Sequence, residues 1–194
     1  MNNILDLEEI NNQEFNNKKI NEIKINNKSI INNTFNKIEI TNSTLTNIFL
    51  EKNIIKNCDL SNTKFIDCSL REIEFNNCKL LGTQFINCHI TKIKITNCNA
   101  KYINFIDNNI KETSIKESIL SEGELYNNKL TKFKITDSEL EKMEIINTLL
   151  NNIDLSSNTI SGLKTTPNCL KGLIINETQA LELVTLLGVK TKDD

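Results

Sequence analysis

Residues 58–82 read Cys58-Asp59-Leu60-Ser61-Asn62, Thr63-Lys64-Phe65-Ile66-Asp67, Cys68-Ser69-Leu70-Arg71-Glu72, Ile73-Glu74-Phe75-Asn76-Asn77 and Cys78-Lys79-Leu80-Leu81-Gly82. Set one block beneath another, the third residue is always large and apolar and the first always small or β-branched. The period is five. Outward from this stretch the third position stays in phase from Leu5 to Ile160: every fifth residue is apolar, and all but Ala100 are Leu, Ile or Phe. Apolar residues make up 38% of the chain, so chance does not produce such a run. An amphipathic helix repeats every 3.6 residues and a strand every two, so the pattern belongs to neither alone. Fixed-period self-similarity of this kind is the signature of a solenoid.

Two further positions carry structure. The inward first position reads Cys58, Thr63, Cys68, Ile73, Cys78, Thr83, Cys88, Ile93, Cys98 and Ile103, with no charge among them. The fifth position is rich in Asn: Asn27, Asn32, Asn42, Asn47, Asn57, Asn62, Asn77, Asn87 and Asn97, with Gly82 and Gly162 in the same register. Asn tolerates left-handed backbone angles and Gly adopts them freely, so this position predicts a corner.

These blocks resemble pentapeptide repeats of the A(D/N)LXX kind, most clearly at Cys58–Asn62, Cys68–Glu72 and Cys78–Gly82, and the resemblance covers about residues 20–162. It implies an all-β fold, a right-handed quadrilateral β-helix of 20-residue coils with a short C-terminal α-helix. At a strand spacing of about 4.8 Å, about seven coils make a rod of roughly 34 Å. Residues 20 apart then stack, which places Phe65, Phe85 and Phe105 in one ladder and Cys58, Cys78 and Cys98 in another, facing Cys68 and Cys88. The expected organisation is a cap or irregular first coil over 1–20, the solenoid over 21–162, and a loop, short strand and helix over 163–194. The cap is expected because Glu8, Gln13, Lys18 and Lys28 stand at the inward first position, where a buried unpaired charge is costly.

Beyond Ser161-Gly162 the chemistry changes. Pro167 marks a loop, Leu173-Ile174-Ile175 reads as a short strand, and Asn176 with Gln179 forms a capping box for a helix over about Glu177 to Leu187. Ala180, Leu183, Val184 and Leu187 share a face of it, and Gly188 stops it. So short a helix must cover something. It either caps its own rod or packs across a two-fold axis, and the residues for the latter are Leu173, Ile175, Ala180, Leu181, Leu183, Val184 and Leu187. Leu170–Asn176, Gln179-Ala180-Leu181 and Leu186-Leu187-Gly188 resemble the C-terminal module of Qnr and MfpA-type proteins, which implies a tail-to-tail homodimer.

Other readings narrow the function. Net charge is −2 and the chain lacks a long apolar run, so neither direct nucleic-acid binding nor a membrane is expected. Met1-Asn2-Asn3-Ile4 shows no export signal, and six cysteines then read as reduced thiols in the cytoplasm. Cys58, Cys68, Cys78, Cys88 and Cys98 lie ten apart, without the short-spaced pairs that zinc requires, and are expected as core thiols; Cys169 alone is expected to be accessible. His89, the one histidine, is expected at the surface. No nucleophile elbow, phosphate loop or dinucleotide fingerprint is present, so the expectation is no enzyme, no cofactor and no small-molecule substrate.

Function then falls to the surface. In the repeat register the faces of Leu60 and Phe65 carry an acidic excess, and the face of Leu70 and Ile90 a basic one (Lys28, Lys52, Arg71, Lys92, Lys111, Lys129 and Lys132 against Glu51, Glu72 and Glu112). Glu122, Glu124, Glu139, Glu141 and Glu144, with Asp107 below them, concentrate along one edge and are opposed in this count only by Lys142. The resemblance to Qnr and MfpA-type proteins implies a rod that imitates duplex DNA, binds DNA gyrase or topoisomerase IV at this edge, and protects it from quinolones. The alternative is a generic pentapeptide-repeat interaction scaffold or regulator with no topoisomerase role.

Overall fold

The computed structural model describes residues 8–189. Every fifth residue from Asn12 to Asn152 has a positive φ, between 50° and 63°. A left-handed residue at this interval turns the chain through one corner per pentapeptide, so four pentapeptides close one coil. Between corners the chain is extended for three residues, as in Lys64–Ile66, Ser69–Arg71 and Glu74–Asn76. Strands this short do not persist alone; each gains its hydrogen bonds from the coil before and the coil after.

The register is 20 throughout. Phe85 pairs Phe65 and Phe105, Leu70 pairs Leu50 and Ile90, and Phe75 pairs Ile55 and Ile95, all in parallel. Three sheets result, of seven, seven and eight strands. They form the Leu70 face, the Phe75 face and the Phe65 face. The fourth face, of Leu60, Leu80 and Leu120, is held by single bridges such as Asp59↔Lys79 and Ile119↔Glu139. There the chain makes a tight turn at each corner, with Thr63, Thr83 and Gly123 donating their N–H to the carbonyls of Leu60, Leu80 and Leu120 at 3.0–3.1 Å.

The rod is longer than the seven coils expected. Strand pairing begins at Glu9, inside the stretch expected as a cap or irregular first coil, with Glu9–Asn11 on Ser29–Ile31 and Glu14–Lys19 on Thr34–Glu39. Glu8, Gln13 and Lys18 are exposed in this first described coil and Lys28 is half-buried, so none of these polar groups is sealed in the core. At the other end the backbone keeps the register past Gly162, where the apolar signal stops. Lys164–Thr165 pairs with Glu144 and Ile145, and Ile174 makes a single bridge to Asp154 where a strand over 173–175 was expected.

The central residues of the pentapeptides form an apolar column inside the rod. Leu80, Ala100, Ile110 and Leu140 are fully buried. Phe65, Phe85 and Phe105 stack with centroids 5.0 and 5.1 Å apart and rings tilted by 9° and 10°. Helix α1 spans Glu177–Val184 and ends in a 3-10 turn over Thr185–Leu187, with Gly188 left-handed at φ 74°. Among the described residues, no helix is long and apolar enough to cross a membrane.

Candidate interaction surfaces

The inward first position is more polar than its cysteines suggest. Asn33, Asn53, Asn108, Asn128 and Asn158 also occupy it and are buried. Each donates its side-chain amide to a carbonyl 23 residues upstream, as Asn108 does to Phe85 at 2.9 Å and Asn128 to Phe105 at 2.8 Å. The cysteines do the same work with sulfur: Cys68 Sγ lies 3.3 Å from the Leu45 carbonyl and Cys88 Sγ 3.4 Å from that of Phe65. Cys58, Cys78 and Cys98 line a second column, where the Cys78 N–H donates to Cys98 Sγ at 3.3 Å. All are free thiols. Hydrogen bonding to Cys58 and Cys98, with burial added, pushes the Cys78 thiol well above the usual range. Cys169 is buried as well, at 2% exposure, although Leu149, twenty residues before it, is 63% exposed. Its sulfur accepts from Thr166 Oγ1 at 3.3 Å. His89 is exposed on the Leu70 face, in a strand beside buried Ile90.

The acidic edge is built by two corners and a strand between them. Glu122 holds a left-handed corner at φ 59°, and Glu124 and Glu144 stand outward on adjacent strands of the Phe65 face. With Tyr102, Asn104, Gly123, Lys142 and Lys164 they line one shallow groove. Gly123 keeps this corner tight, since a Cβ there would sit 2.6 Å from the Ile103 carbonyl oxygen. Burial, with the charge of Glu144 added, raises the Glu124 carboxyl above its ordinary value. Glu139 and Glu141 stand exposed on the neighbouring Leu60 face and take part in no ion pair among the described residues. Asp107 lies at the next corner and accepts from Asn127 at 2.6 Å.

Lys142 is not the main opposing charge. Lys101 reaches Glu122 at 2.9 Å from the coil below, and Lys164 reaches Glu144 at 2.6 Å from the coil above. Lys101 also lies 4.8 Å from the Tyr102 ring centroid. These partners lie about one coil away in sequence, which is where a stacked rod brings side chains together. The diagonally opposite corner is a ladder of alternating sign, Lys52, Glu72, Lys92, Glu112 and Lys132. In it Lys92 pairs Glu72 at 3.3 Å and Lys132 pairs Glu112 at 3.5 Å. Arg71 adds contacts to Glu51 and Glu72 at 3.6 and 3.7 Å. These pairs use only Glu51, Glu72 and Glu112, the acids already set against the basic residues of that face, so its basic excess remains.

At the C-terminus, Leu170, Leu173, Ile175, Ala180, Leu183 and Val184 line one apolar depression. Leu183 is buried, and Leu173, Ile175 and Leu186 pack on the rod's own core. Leu181 is 63% exposed and Ile174 49%. Ala180 is exposed and Val184 half-buried, while the side chain of Leu187 lies outside the described residues. The capping box forms as expected, Asn176 accepting from the Gln179 N–H and Gln179 Oε1 from the Asn176 N–H. The sequence did not reveal that Gln179 is itself buried and donates to the carbonyls of Leu155 and Asn158 at 2.9 and 2.7 Å, pinning α1 to the last coil.

Residues 49–125 match the family model of the pentapeptide repeat region. No curated protein matches the chain. Among solved structures, full-length QnrB1, a plasmid-mediated fluoroquinolone resistance protein, is 18% identical over 93% of this chain and 100% of its own, at a TM-score of 0.38. HetL, involved in heterocyst differentiation regulation in the cyanobacterium Nostoc sp. strain PCC 7120, is 14% identical over 85% of this chain and 91% of its own, at 0.30. Rfr23 from the cyanobacterium Cyanothece 51142 is 13% identical over 71% of this chain and 91% of its own, at 0.24.

Proposed function

We propose that this pentapeptide-repeat solenoid is a non-enzymatic, cytoplasmic protein that binds a DNA topoisomerase, gyrase or topoisomerase IV, and protects it from quinolones by reversible surface contact. The observation that carries this reading is the acidic edge. Glu122, Glu124 and Glu144 gather in one groove, with Glu139 and Glu141 free beside them, on a rigid rod next to its C-terminal module. Such an edge attracts the cationic surface on which an enzyme holds duplex DNA, and rigidity lets the rod present it without an ordering cost. Exposed Leu181 and Ile174 beside the apolar depression support a tail-to-tail homodimer, which doubles the edge about the two-fold axis.

The test is gyrase supercoiling in the presence of ciprofloxacin with this protein titrated in. Rescue is expected at low protein, and a folded Glu139→Lys/Glu141→Lys variant is expected to bind gyrase more weakly. Absence of both rescue and inhibition, with gyrase from the matching host, rejects the reading. A second reading, an interaction scaffold with another partner, is favoured by one observation: Lys101 and Lys164 already neutralise Glu122 and Glu144. A pull-down that recovers another protein and no topoisomerase decides for it.

A further inference from the structure

The Phe65 face carries a second ladder, on its outside. One residue past each apolar centre the side chain points outward, and on this sheet those residues are Ile66, Ile86, Ile106, Tyr126 and Ile146, paired rung to rung. The four isoleucines are half-buried and Tyr126 is 38% exposed. The equivalent column is Arg71, Thr91, Lys111 and Thr131 on the Leu70 face, and Asn76, Thr96, Lys116 and Thr136 on the Phe75 face. An unbroken apolar row is therefore a property of one face, not of the repeat. Its five rungs extend about 19 Å at a strand spacing of about 4.8 Å. Single exposed apolar residues are ordinary on any protein, but contiguous rows mark contact sites.

Acidic residues stand on both margins, although Lys64, Gln84 and Asn104 precede them on one side and Lys164 already pairs Glu144. Glu124 and Glu144 stand on one side, at the other end of the same strands. Asp67 and Asp107 stand at the corner on the other side, held by Asn87 and Asn127 at 2.6 Å, and neither is in an ion pair among the described residues. We propose that this face docks an amphipathic helix of a partner protein, laid along the rod, with its apolar ridge on the isoleucine row and lysines or arginines against both margins. A helix advances about 5.4 Å per turn, close to one turn per rung, so one ridge side chain meets each isoleucine in turn. Duplex nucleic acid offers neither the ridge nor the positive charge. The inference goes beyond the topoisomerase reading, since it fixes the chemistry of the contact whichever partner bears it.

The probe is a fluorescent peptide of about 18 residues, about five turns, with leucines at helical spacing flanked by lysines. A second peptide of the same composition has its leucines scattered. Against the full chain, fluorescence anisotropy is expected to show the ordered peptide binding at least about tenfold tighter than the scattered one, a difference well within what a few buried side chains supply. Ile86→Thr/Ile106→Thr is expected to lose about tenfold, for the same reason. Threonine already fills this position at Thr91, Thr96, Thr131 and Thr136, and a melt confirms that the variant folds. Should it not fold, Asp67→Asn/Asp107→Asn replaces it, because Asn27 and Asn47 already form that ladder at 2.7 Å; it is expected to weaken binding and flatten the salt dependence. Equal binding of both peptides, unchanged binding by the folded variants, or no binding by the wild type overturns the proposal. So does light scattering in which Ile86→Thr/Ile106→Thr separates paired rods, since that gives the face to a second copy. Peptide binding without quinolone rescue rejects the topoisomerase reading alone, and rescue without peptide binding rejects the docking face alone.

Discussion

Lys37, Lys52, Glu72, Tyr102 and Glu117 hold left-handed corners that Asn and Gly hold elsewhere in the rod. That conformation costs an ordinary side chain about 1–2 kcal/mol, and each such residue keeps it because the coils above and below allow no other turn. Glu117 stands above Asn77 and Asn97, where the Asn97 side-chain amide donates a hydrogen bond to Asn77 Oδ1 at 2.5 Å. Glu117→Asn relieves the backbone and extends that ladder, while the exposed Lys116 pair it breaks is worth little. We expect a gain of about 0.5–1 kcal/mol in chemical denaturation; a loss would mean that the stacked register, not the corner residue, sets the cost. Two carboxylates predict opposite pH responses. Glu124 has a raised pKa in the fold, so its contribution is full below its ordinary 4.5 and is lost as pH rises through the folded value. At Asp59 burial acts upward but is outweighed by the hydroxyl and N–H of Ser61 and by Lys79, so its pKa is lowered. Its contribution is full above 3.8 and lost as pH falls through the folded value. Stability curves of Glu124→Gln and Asp59→Asn, each subtracted from wild type, are expected to slope in opposite directions across the acid range. Parallel curves would contradict the two environments.

Among the elements, α1 shows best how a short helix is made permanent. Eight residues are too few for independent stability, so tertiary bonds must hold it. Gln179 supplies them, closing the capping box with its oxygen and binding two carbonyls of the last coil with its nitrogen. Gln179→Ala leaves those carbonyls and the Asn176 N–H without their partner, and is expected to cost about 1–3 kcal/mol. Hydrogen exchange should then rise at Asn158 and Leu163 while the Phe65–Phe105 coils stay protected; uniform exchange along the rod would show that α1 is not what seals this end. The capping box was legible because its two residues lie three apart. The second task of Gln179 was not, because Leu155 and Asn158 are distant in sequence and meet it only once the coil exists. The same distinction runs through the molecule. Asn corners and the phenylalanine ladder follow from a period, whereas the buried amide of Asn108 is explained by partners in neighbouring coils, the Phe85 carbonyl, the Cys88 N–H and Asn128. The pairing of Lys101 with Glu122 and the row from Ile66 to Ile146 were in reach of the 20-residue register. Summing charge by face conceals both, since a sum records neither the partner one coil away nor an uncharged column.

At the scale of the whole rod, the two long edges differ in kind. One corner alternates sign from Lys52 to Lys132 and satisfies itself through Lys92–Glu72 and Lys132–Glu112, while the diagonal edge around Glu122 and Glu139 keeps an acidic excess toward the C-terminal end. Whether that excess acts once or twice depends on the C-terminal module. Its apolar residues divide: Leu183 is buried and Leu173, Ile175 and Leu186 pack on their own rod, leaving Leu181 and Ile174 outward. In the proposed homodimer, Leu181 and Ile174 beside the apolar depression are the residues a second copy would cover. Leu181→Asp places a charge at the centre of such an interface without touching Gln179 or the buried leucine. Light scattering at micromolar concentration is expected to give twice 22.2 kDa for the wild type and 22.2 kDa for the variant, with unchanged circular dichroism. A wild-type mass of 22.2 kDa would remove the dimer and leave α1 as a cap, and quinolone rescue by that monomer would show that one acidic edge is enough.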